Sequence, residues 1–473
     1  MRSWLPGRRR GRARCPKDDP VNASDAPSPS SPGPDVLIVG AGPAGLALAC
    51  ALADAGLRSH VLEQQPLDAL VDPPEDGRDI ALTHRARRIF TQLGLWERLP
   101  QEEIAPLLRA QVTNGDSPHV LPFSAEDDGH PQLGWLVPNH RIRAACHAGA
   151  RARATHITLT GDARVTGLSR DADRATLTLA DGQTLSAPLV VAADSRFSTV
   201  RRMAGIGARM LDFGRTAIVC RMAHSLPHDG TAHECFLHGH TLAMLPMAGH
   251  QSSAVWTVKS DGAAAILGLS PEGFAQAVDE AFGHKLGTLT QSGQRHAYPL
   301  VAVYAERFCG PRFVLVGDSA VGMHPVTAHG YNFGLYGVEV LAAELARAHA
   351  AGRDLGDASS PHSPLQAYAR EHQRVTLPIY LGTNVVVKLF TNDQPAAKLA
   401  REAIVRATNL LPPIKAAVTR QLTGDRLGSP LGALAPGWLR ERLRDLPPPP
   451  RPGWPPLPSL PGLLERLPLP PRR

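Results

Sequence analysis

The residues best suited to bind a ligand or to take part in a reaction lie in a glycine-rich segment that begins with Gly317 and Asp318. An apolar run at residues 313–316 precedes it, and an amphipathic helical pattern follows Gly330. A buried strand that stops at an aspartate places a carboxylate at the carboxyl edge of a sheet, where open α/β sheets bind ligands. A glycine at the start of the next helix lets backbone N–H groups approach that ligand. The segment therefore predicts a ligand site built from a carboxylate and a helix start.

A second glycine-rich turn lies near the other end of the chain, after an apolar run at residues 36–39. It reads Gly40-Ala41-Gly42-Pro43-Ala44-Gly45. In such a turn the first glycine permits the tight bend, the second lets the backbone reach a pyrophosphate, and the third lets helix and strand pack closely. Glu63 ends the next apolar run, where an acid binds the hydroxyls of a ribose. The pattern predicts dinucleotide binding; the alternative is an ordinary glycine-rich βα turn.

The elements that must position these residues follow an α/β pattern. Residues 34–205 and 301–360 alternate strand runs with helical patterns, which predicts one Rossmann-like domain (βαβ, GxGxxG) built from two segments. Residues 206–300 carry short strand patterns separated by glycine turns, which predicts an inserted antiparallel sheet beside a substrate pocket. A short substrate-side insertion is expected at about 100–135, and residues 361–424 are expected to be helical. The predicted strands of the inserted sheet are 217–222, 234–238, 242–247 and 253–258.

The two ends of the chain differ in composition from its middle. Residues 1–33 are rich in Arg, Ser and Pro, and residues 425–473 are rich in Pro and Arg, so both are predicted to be disordered. The alternative for residues 1–33 is a transit peptide. The tails carry many of the arginines behind the net charge of +7 and the pI of about 9.3. The charge is therefore weak support for an anionic partner, and the sparse aromatic residues argue against nucleic-acid binding.

Cysteine spacing and hydropathy indicate the kind of compartment in which the protein is expected to work. None of the six cysteines stands at C-x-x-C spacing, so neither a disulfide framework nor a zinc site is expected, and a reducing, cytoplasmic compartment fits. His238 and His240 alternate on a strand pattern, but no acid or cysteine completes a set of ligands, so no metal is expected. No uninterrupted apolar stretch has the length of a membrane span.

A third motif follows the apolar run at residues 189–192. It reads Ala193-Asp194-Ser195-Arg196-Phe197-Ser198-Thr199-Val200-Arg201. This motif resembles the A-D-G-x-x-S-x-V-R motif of the single-component flavoprotein aromatic hydroxylases, the p-hydroxybenzoate hydroxylase-like group. The segment from Gly317 resembles their G-D-A-A-H-x-x-x-P-x-x-G-Q-G-x-N motif. The resemblance covers about residues 35–423, and it implies an FAD-binding domain.

A narrower resemblance is to the ubiquinone-biosynthesis hydroxylases of the UbiH/UbiF/VisC type. Arg78 with residues 79–83 and 93–96 resembles their R-x-x-A-L and L-G-L-W stretches, and residues 137–142 resemble their flavin-side segment. The chain departs from the family motifs at several positions, and these departures indicate a divergent, UbiM-like branch. Ser195 and Gly337 replace a glycine and an aspartate, Val321 replaces a histidine, and Ala328-His329 replaces Gly-Gln.

The resemblance implies FAD as the bound cofactor, NAD(P)H as the reductant and O₂ as the co-substrate, with oxygen delivered by a flavin C4a-hydroperoxide. It implies a polyprenylated phenol or quinol of ubiquinone synthesis as the substrate, and peripheral association with the membrane or with a biosynthetic complex. The residues expected to bind the cofactor are Gly40, Gly42, Pro43, Ala44, Gly45, Glu63, Gln64, Arg78, Asn139, Asp194, Gly317, Asp318, Pro325, Gly330, Tyr331 and Asn332.

Roles within this set follow from the same resemblance. Asp318 is expected to accept hydrogen bonds from the ribityl hydroxyls, and the backbone N–H groups of residues 330–332 are expected to face the flavin N1–C2=O edge. Asn332 is also a good helix N-cap, which alone would explain it. His329 is the candidate catalytic base for a phenol proton, because histidine titrates near neutrality. The alternative, which we favour, is a histidine that only hydrogen-bonds its loop.

Two other functions stay open at this point. The first keeps the chemistry but changes the substrate to a soluble aromatic of catabolism or secondary metabolism. The second is a non-enzymatic, flavin-binding accessory protein, which the altered third motif makes plausible.

Overall fold

The computed structural model describes residues 33–390 except 116, 118, 238 and 325–329, together with residues 394, 401, 404, 408, 419 and 423. Both predicted disordered tails fall outside the described residues, apart from Gly33, and so do four of the residues singled out above: His238, Pro325, Ala328 and His329.

The described chain alternates strands and helices. The strands are β1 (Val36–Val39), β2 (Ser59–Leu62), β3 (Asp79–Leu82), β4 (Ala105–Leu107), β5 (Arg109–Asn114), β6 (Leu121–Ser124), β7 (Gly134–Pro138), β8 (Ile157–Thr160), β9 (Val165–Arg170), β10 (Ala175–Leu179), β11 (Thr184–Ala187), β12 (Leu189–Ala192), β13 (Ala208–His224), β14 (Thr231–Phe236), β15 (Thr241–Pro246), β16 (Gln251–Lys259), β17 (Leu289–Gln291), β18 (His296–Ala305), β19 (Cys309–Gly310), β20 (Phe313–Leu315) and β21 (Val321–Gly322). The helices are α1 (Pro43–Asp54), α2 (Asp68–Val71), α3 (His84–Gln92), α4 (Asn139–Arg151), α5 (Thr199–Met203), α6 (Ala263–Leu267), α7 (Pro271–Phe282), α8 (Gly330–Ala350) and α9 (Pro364–Phe390).

A six-stranded sheet carries the glycine-rich motifs. Its order is β19-β20-β12-β1-β2-β8, and all neighbours from β20 to β8 are parallel. The strands β1, β12 and β20 are buried throughout, which fits their continuous apolar runs, because parallel strands are covered on both faces. The predicted α/β, Rossmann-like fold is confirmed. The helix that follows the glycine turn begins at Pro43, since proline is compatible with the first helical turn.

A second large sheet lies beside the first and has the order β21-β18-β13-β16-β15-β14-β5-β6, with β17 paired to β13. The inserted antiparallel sheet predicted from the sequence is present, but it differs from the prediction in two ways. The expected insertion at about 100–135 supplies β5 and β6, and β5 pairs in parallel with β14. In addition, the predicted boundary at residue 300 falls inside β18, which continues to Ala305.

Helices cover these sheets where the sequence patterns expect them. On the outer face of the second sheet, α7 packs Phe274 and Phe282 against apolar residues of β13 and β16. The pair Ser270-Pro271 is a local sequence signal for a helix start, and α7 begins there: the Ser270 hydroxyl accepts a hydrogen bond from the Gly273 N–H, and Pro271 takes the first position. Among the described residues, no helix has both the length and the apolar composition needed to cross a membrane.

Candidate functional site

Of the three glycines in the turn after β1, two are tightly packed against backbone atoms and one borders open space. A β-carbon at position 40 would lie 2.5 Å from the carbonyl oxygen of Ala193, and one at position 45 would lie 2.1 Å from that of Gly40. At Gly42, by contrast, a β-carbon would meet no atom of the described residues within 4 Å. Gly40 and Gly45 are therefore required by packing, whereas Gly42 leaves bare backbone at the start of α1. This opening fits a pyrophosphate, which a helix start binds through its free N–H groups.

Glu63 lies beside the same turn, at the end of β2. Its Oε2 accepts a hydrogen bond from the Ala41 N–H at 2.8 Å, and its Oε1 accepts one from the Gln65 N–H at 3.1 Å. Gln64 is exposed between these contacts. The carboxylate is thus held at the rim of the turn, where it would contact a ribose attached to the pyrophosphate.

Glycines bring the two ends of the chain into contact at this site. A β-carbon on Gly317, whose φ is +67°, would lie 3.1 Å from the β-carbon of Ala44 at the start of α1. A β-carbon on Gly334 of α8 would lie 3.5 Å from the Cα of Gly317. The starts of α1 and α8 therefore share one small space with the turn after β20, as the sequence motifs require.

Asp318 has a hydrogen-bond partner that the sequence motifs did not predict. The guanidinium of Arg196 donates from Nη2 to Oδ2 of Asp318 at 3.0 Å and from Nη1 to the carbonyl oxygen of Val301 at 3.1 Å. The side chains of Asp318 and Arg196 are 34% and 28% exposed, so both remain reachable by a ligand. Arg196 lies within the third motif, and only its neighbours had been linked to the cofactor.

Asp194 organises the backbone after β12. Its Oδ2 accepts hydrogen bonds from the N–H groups of Thr199 and Val200, at 2.9 and 3.2 Å, and Ser198 caps α5 by accepting from the Arg201 N–H. Its Oδ1 is buried and has no hydrogen-bond partner in the described part of the chain. The observed contacts of Asp194 are therefore structural, and one oxygen remains for a ligand.

Ser195 stands where the family motif has glycine, and it has a φ of +92°. Residues other than glycine rarely adopt this region, because the β-carbon crowds the backbone. The serine is therefore expected to add local strain at this position.

Arg78 and Asn139 meet through a carboxylate that the sequence reading missed. Asp76 accepts hydrogen bonds from Arg78 Nη2 at 2.6 Å and from Asn139 Nδ2 at 2.7 Å. Although burial alone would raise the pKa of Asp76, the hydrogen bonds and charge of Arg78 hold it below its usual range. Tyr298 of the second sheet donates its hydroxyl to the Asp76 carbonyl and places its ring 5.4 Å from the Arg78 guanidinium. The cluster fixes Arg78 at the junction of the two sheets.

The start of α8 is tied to the start of α3. Asn332 accepts a hydrogen bond from the Thr83 N–H at 3.1 Å and donates one to the Ala81 carbonyl at 2.8 Å. Because α8 begins at Gly330, Asn332 is its third residue and not its N-cap. The half-buried Tyr331 packs its ring edge-on against Phe90, and desolvation raises its pKa well above the usual value. Gly330 and Tyr331 thus offer a ligand their backbone.

Two departures from the family motif have structural reasons. A β-carbon at position 337 would lie 2.8 Å from Cε1 of His372, whose ring occupies the room that a longer side chain would need. His372 donates from Nε2 to the carbonyl oxygen of Phe333 at 3.1 Å, and burial lowers its pKa to about 4, so the ring is neutral. Val321 is buried in β21, where it pairs with Tyr304 of β18.

A buried ion pair joins β13 of the second sheet to β3, which belongs to a separate three-stranded sheet of order β3-β7-β4. Arg221 of β13 donates to Asp79 of β3 at 3.1 Å, and the Asp79 side chain is 1% exposed. Burial raises the pKa of Asp79, although the charge of Arg221 opposes the shift. This pair shows which face of β13 is turned toward β3.

Taken together, the fold and this site define an FAD-binding flavoprotein. The open backbone at Gly42, the acid at the end of β2 and the helix start at Gly330 fit a dinucleotide with an extended ribityl chain. The family model described as "FAD binding domain" matches residues 34–371.

Known relatives refine this class. The chain is 44% identical over 394 residues to the ubiquinone hydroxylase UbiM of Neisseria meningitidis, with 82% of this chain and 84% of that protein covered. It is 40% identical to the ubiquinone hydroxylase UbiL of Rhodospirillum rubrum, covering 82% and 89%. The fold is similar to that of p-nitrophenol 4-monooxygenase PnpA from Pseudomonas putida, with a TM-score of 0.66, 18% identity and 83% and 99% coverage. The chain belongs to the FAD-dependent aromatic monooxygenase family and, within it, to the ubiquinone hydroxylases.

Proposed function

We propose that this protein uses NAD(P)H and O₂ to hydroxylate the aromatic ring of a polyprenylated ubiquinone precursor. The observation that carries the proposal is the 44% identity to a ubiquinone hydroxylase over 394 residues, a length that takes in the second sheet as well as the FAD-binding domain. When bound and reduced, FAD supplies the activation of O₂. The protein supplies binding, orientation and electrostatics.

Named residues hold the cofactor in this proposal. The backbone at Gly42 and the start of α1 bind the pyrophosphate, and Glu63 binds the adenosine ribose. Asp318 accepts hydrogen bonds from the ribityl hydroxyls while Arg196 holds its carboxylate in place. Backbone N–H groups at the start of α8 face the pyrimidine edge, where they favour negative charge.

Two candidate residues of the site come from the sequence alone. Pro325 is proposed to fix the loop beside the flavin ring, and His329 is the candidate proton acceptor. Both lie outside the described residues. A His329→Gln variant tests the second role, because loss of a base lowers kcat for a phenol and leaves flavin reduction by NAD(P)H unchanged.

Peripheral membrane association is part of the proposal, because a polyprenylated substrate resides in the bilayer. Val385 and Val386, near the end of α9, are 46% and 42% exposed, and Lys388 is exposed beside them. Exposed apolar residues next to a cation suit an anionic membrane surface. Flotation with anionic vesicles tests this contact, and a Val385→Ser/Val386→Ser variant is expected to bind them more weakly.

The test of the proposed function is the quinone profile of a strain that lacks this protein. We expect a prenylated intermediate short of one or more ring hydroxyls to accumulate, and the intact gene to restore ubiquinone. Normal ubiquinone in that strain, together with turnover of a soluble phenol by the purified protein, would favour catabolic hydroxylation. A purified yellow protein whose flavin is never bleached by NAD(P)H would instead indicate an accessory role.

A further inference from the structure

Glu234 lies at the middle of β14, on the face of the second sheet that is turned toward the FAD-binding domain. Cross-strand pairing places Val112, Glu234, Ala243, Val255 and Val219 in one row across the sheet. Paired residues project from the same face of a sheet, so the nearest neighbours of Glu234 in this row are small and apolar, and the next ionisable residue along it is His296 of β18, which pairs with Val219.

Neighbouring residues identify that face. The residues on either side of Glu234, His233 and Cys235, face α7, where the His233 ring lies 5.1 Å from the Phe282 ring. Side chains alternate along a strand, so Glu234 points the other way. Arg221, two residues along β13 from Val219 of the row, projects from this same opposite face and contacts Asp79 of β3.

Among the described residues, the Glu234 carboxyl has no counter-ion. In the described part of the chain it makes no hydrogen bond or ion pair, and burial raises its pKa to about 8. Of the charged groups on adjacent elements, Arg109 of β5 binds Thr231 and the Asp229 carbonyl, Lys388 of α9 is exposed, and β15 carries none. Glu234 is nevertheless only half-buried, so its side chain still has accessible surface.

We propose that the Glu234 carboxyl hydrogen-bonds a ring hydroxyl of the aromatic substrate and so orients the ring under the second sheet. The inference rests on the proposed hydroxylase function and names a substrate-binding residue for it. A neutral carboxyl offers one donor and one acceptor, which suits an uncharged phenol or quinol. The surrounding apolar row suits the ring itself, and a metal ion has no support because the described residues contain no group of three His, Cys, Asp or Glu placed to hold one.

Steady-state kinetics of the FAD-loaded protein with a short-chain prenylated phenol test the inference. We expect Glu234→Leu to raise KM about tenfold, the cost of one buried hydrogen bond, with a smaller effect on kcat. Glu234→Gln keeps a neutral donor and acceptor, so its KM at neutral pH is expected to stay within about threefold of the wild-type value. Glu272→Leu, an exposed acid on the outer face of α7, is the matched control and leaves KM unchanged.

The pH profile separates a contact with the substrate from a purely structural role. Binding of an apolar ring removes water from the carboxyl, which disfavours its ionised form. Wild-type KM is therefore expected to rise as pH passes about 8, whereas KM of Glu234→Gln stays flat. A wild-type protein that hydroxylates the phenol, with unchanged KM in Glu234→Leu or equal pH profiles in wild type and Glu234→Gln, overturns this inference alone. A wild-type protein that hydroxylates no prenylated phenol or quinol overturns the proposed function as well.

Discussion

A hydrogen bond of 3.0 Å joins the guanidinium of Arg196 to the carboxylate of Asp318. The contact connects the turn after β12 with the turn after β20, which are separated by more than a hundred residues of sequence. Because both side chains are partly exposed, the pair is available to a ligand and is not sealed in the core. The pair therefore joins two turns that both contribute residues to the proposed cofactor site.

The first prediction concerns this pair. We expect Asp318→Ala to weaken FAD binding by about ten- to a hundredfold, because hydrogen bonds to a charged group contribute roughly 1.5–3 kcal/mol. Arg196→Gln should weaken it less, since the carboxylate remains. Fluorescence titration of the apoprotein with FAD measures both effects, and Arg202→Gln, an exposed arginine of α5, is the control. Equal FAD affinity in Asp318→Ala and the wild type would show that this carboxylate does not touch the cofactor.

The second prediction separates binding from folding within the glycine turn. Gly42→Ala places its methyl group in open space, so the apoprotein should unfold at the wild-type temperature but bind FAD at least about tenfold more weakly. Gly45→Ala forces a methyl group against the Gly40 carbonyl and should cost about 1–3 kcal/mol of stability. Thermal melts of both apoproteins, followed by FAD titration, test the contrast. Similar melting losses in the two variants would contradict it.

The third prediction follows from the positive φ of Ser195. Relief of the strain at such a position contributes about 1–3 kcal/mol to stability. A glycine also makes the unfolded chain more flexible, which lowers the free energy of unfolding by about 0.5–1 kcal/mol. Ser195→Gly should therefore raise the free energy of unfolding by about 1 kcal/mol. Ser198→Gly on the same loop should lower it, because Ser198 caps α5. Denaturant unfolding decides the matter; a destabilised Ser195→Gly would mean that the serine side chain has a compensating contact.

The fourth prediction concerns the contact between α8 and α9. Gly337→Ala should lower the free energy of unfolding by about 1–3 kcal/mol, because its methyl group would overlap the His372 ring. Gly382→Ala in α9 meets no described atom within 4 Å and should stabilise the helix by about 0.5–1 kcal/mol. Opposite signs in the two melts support the packing described here. A neutral Gly337→Ala would indicate that His372 moves away at little cost.

The fifth prediction uses the pH dependence of stability. Burial raises the pKa of the Glu234 carboxyl to about 8 in the folded protein, against 4.5 for an exposed glutamate. Between these pH values the unfolded chain has lost this proton and the folded chain keeps it, so the free energy of unfolding falls as pH rises. Glu234→Gln lacks this titration, so its free energy of unfolding relative to that of the wild type should rise with pH, by up to about 1.4 kcal/mol per pH unit. Denaturant unfolding of both proteins between pH 4.5 and about pH 9 measures the difference, and a difference independent of pH would exclude the shifted pKa.

Much of the architecture could be predicted because its signals are local. The apolar run before Gly40 and the strand runs near 190 and 314 each fixed a buried parallel strand, and the glycine spacing fixed the turn between β1 and α1. Ser270-Pro271 predicted the start of α7 for the same reason, since a cap and a proline act on their own turn.

Contacts between distant segments could not be predicted in this way. Nothing near Arg78 in the sequence indicates that Asp76 also accepts a hydrogen bond from Asn139, or that the Tyr298 ring packs against the Arg78 guanidinium. The parallel pairing of β5 with β14 likewise depends on how separate segments meet. Arg196 was within a recognised motif, but its bond to Asp318 required the relative position of two strand ends.

The most direct test of the account is oxygen incorporation by the purified protein. The FAD-loaded chain would be supplied with NADH or NADPH and a prenylated phenol under heavy-isotope O₂, and the product ring would be weighed by mass spectrometry. The account predicts one heavy oxygen atom in the ring for each reduced nicotinamide consumed. Consumption of NAD(P)H that yields only peroxide, or heavy oxygen that enters a soluble phenol but never the prenylated one, would contradict it.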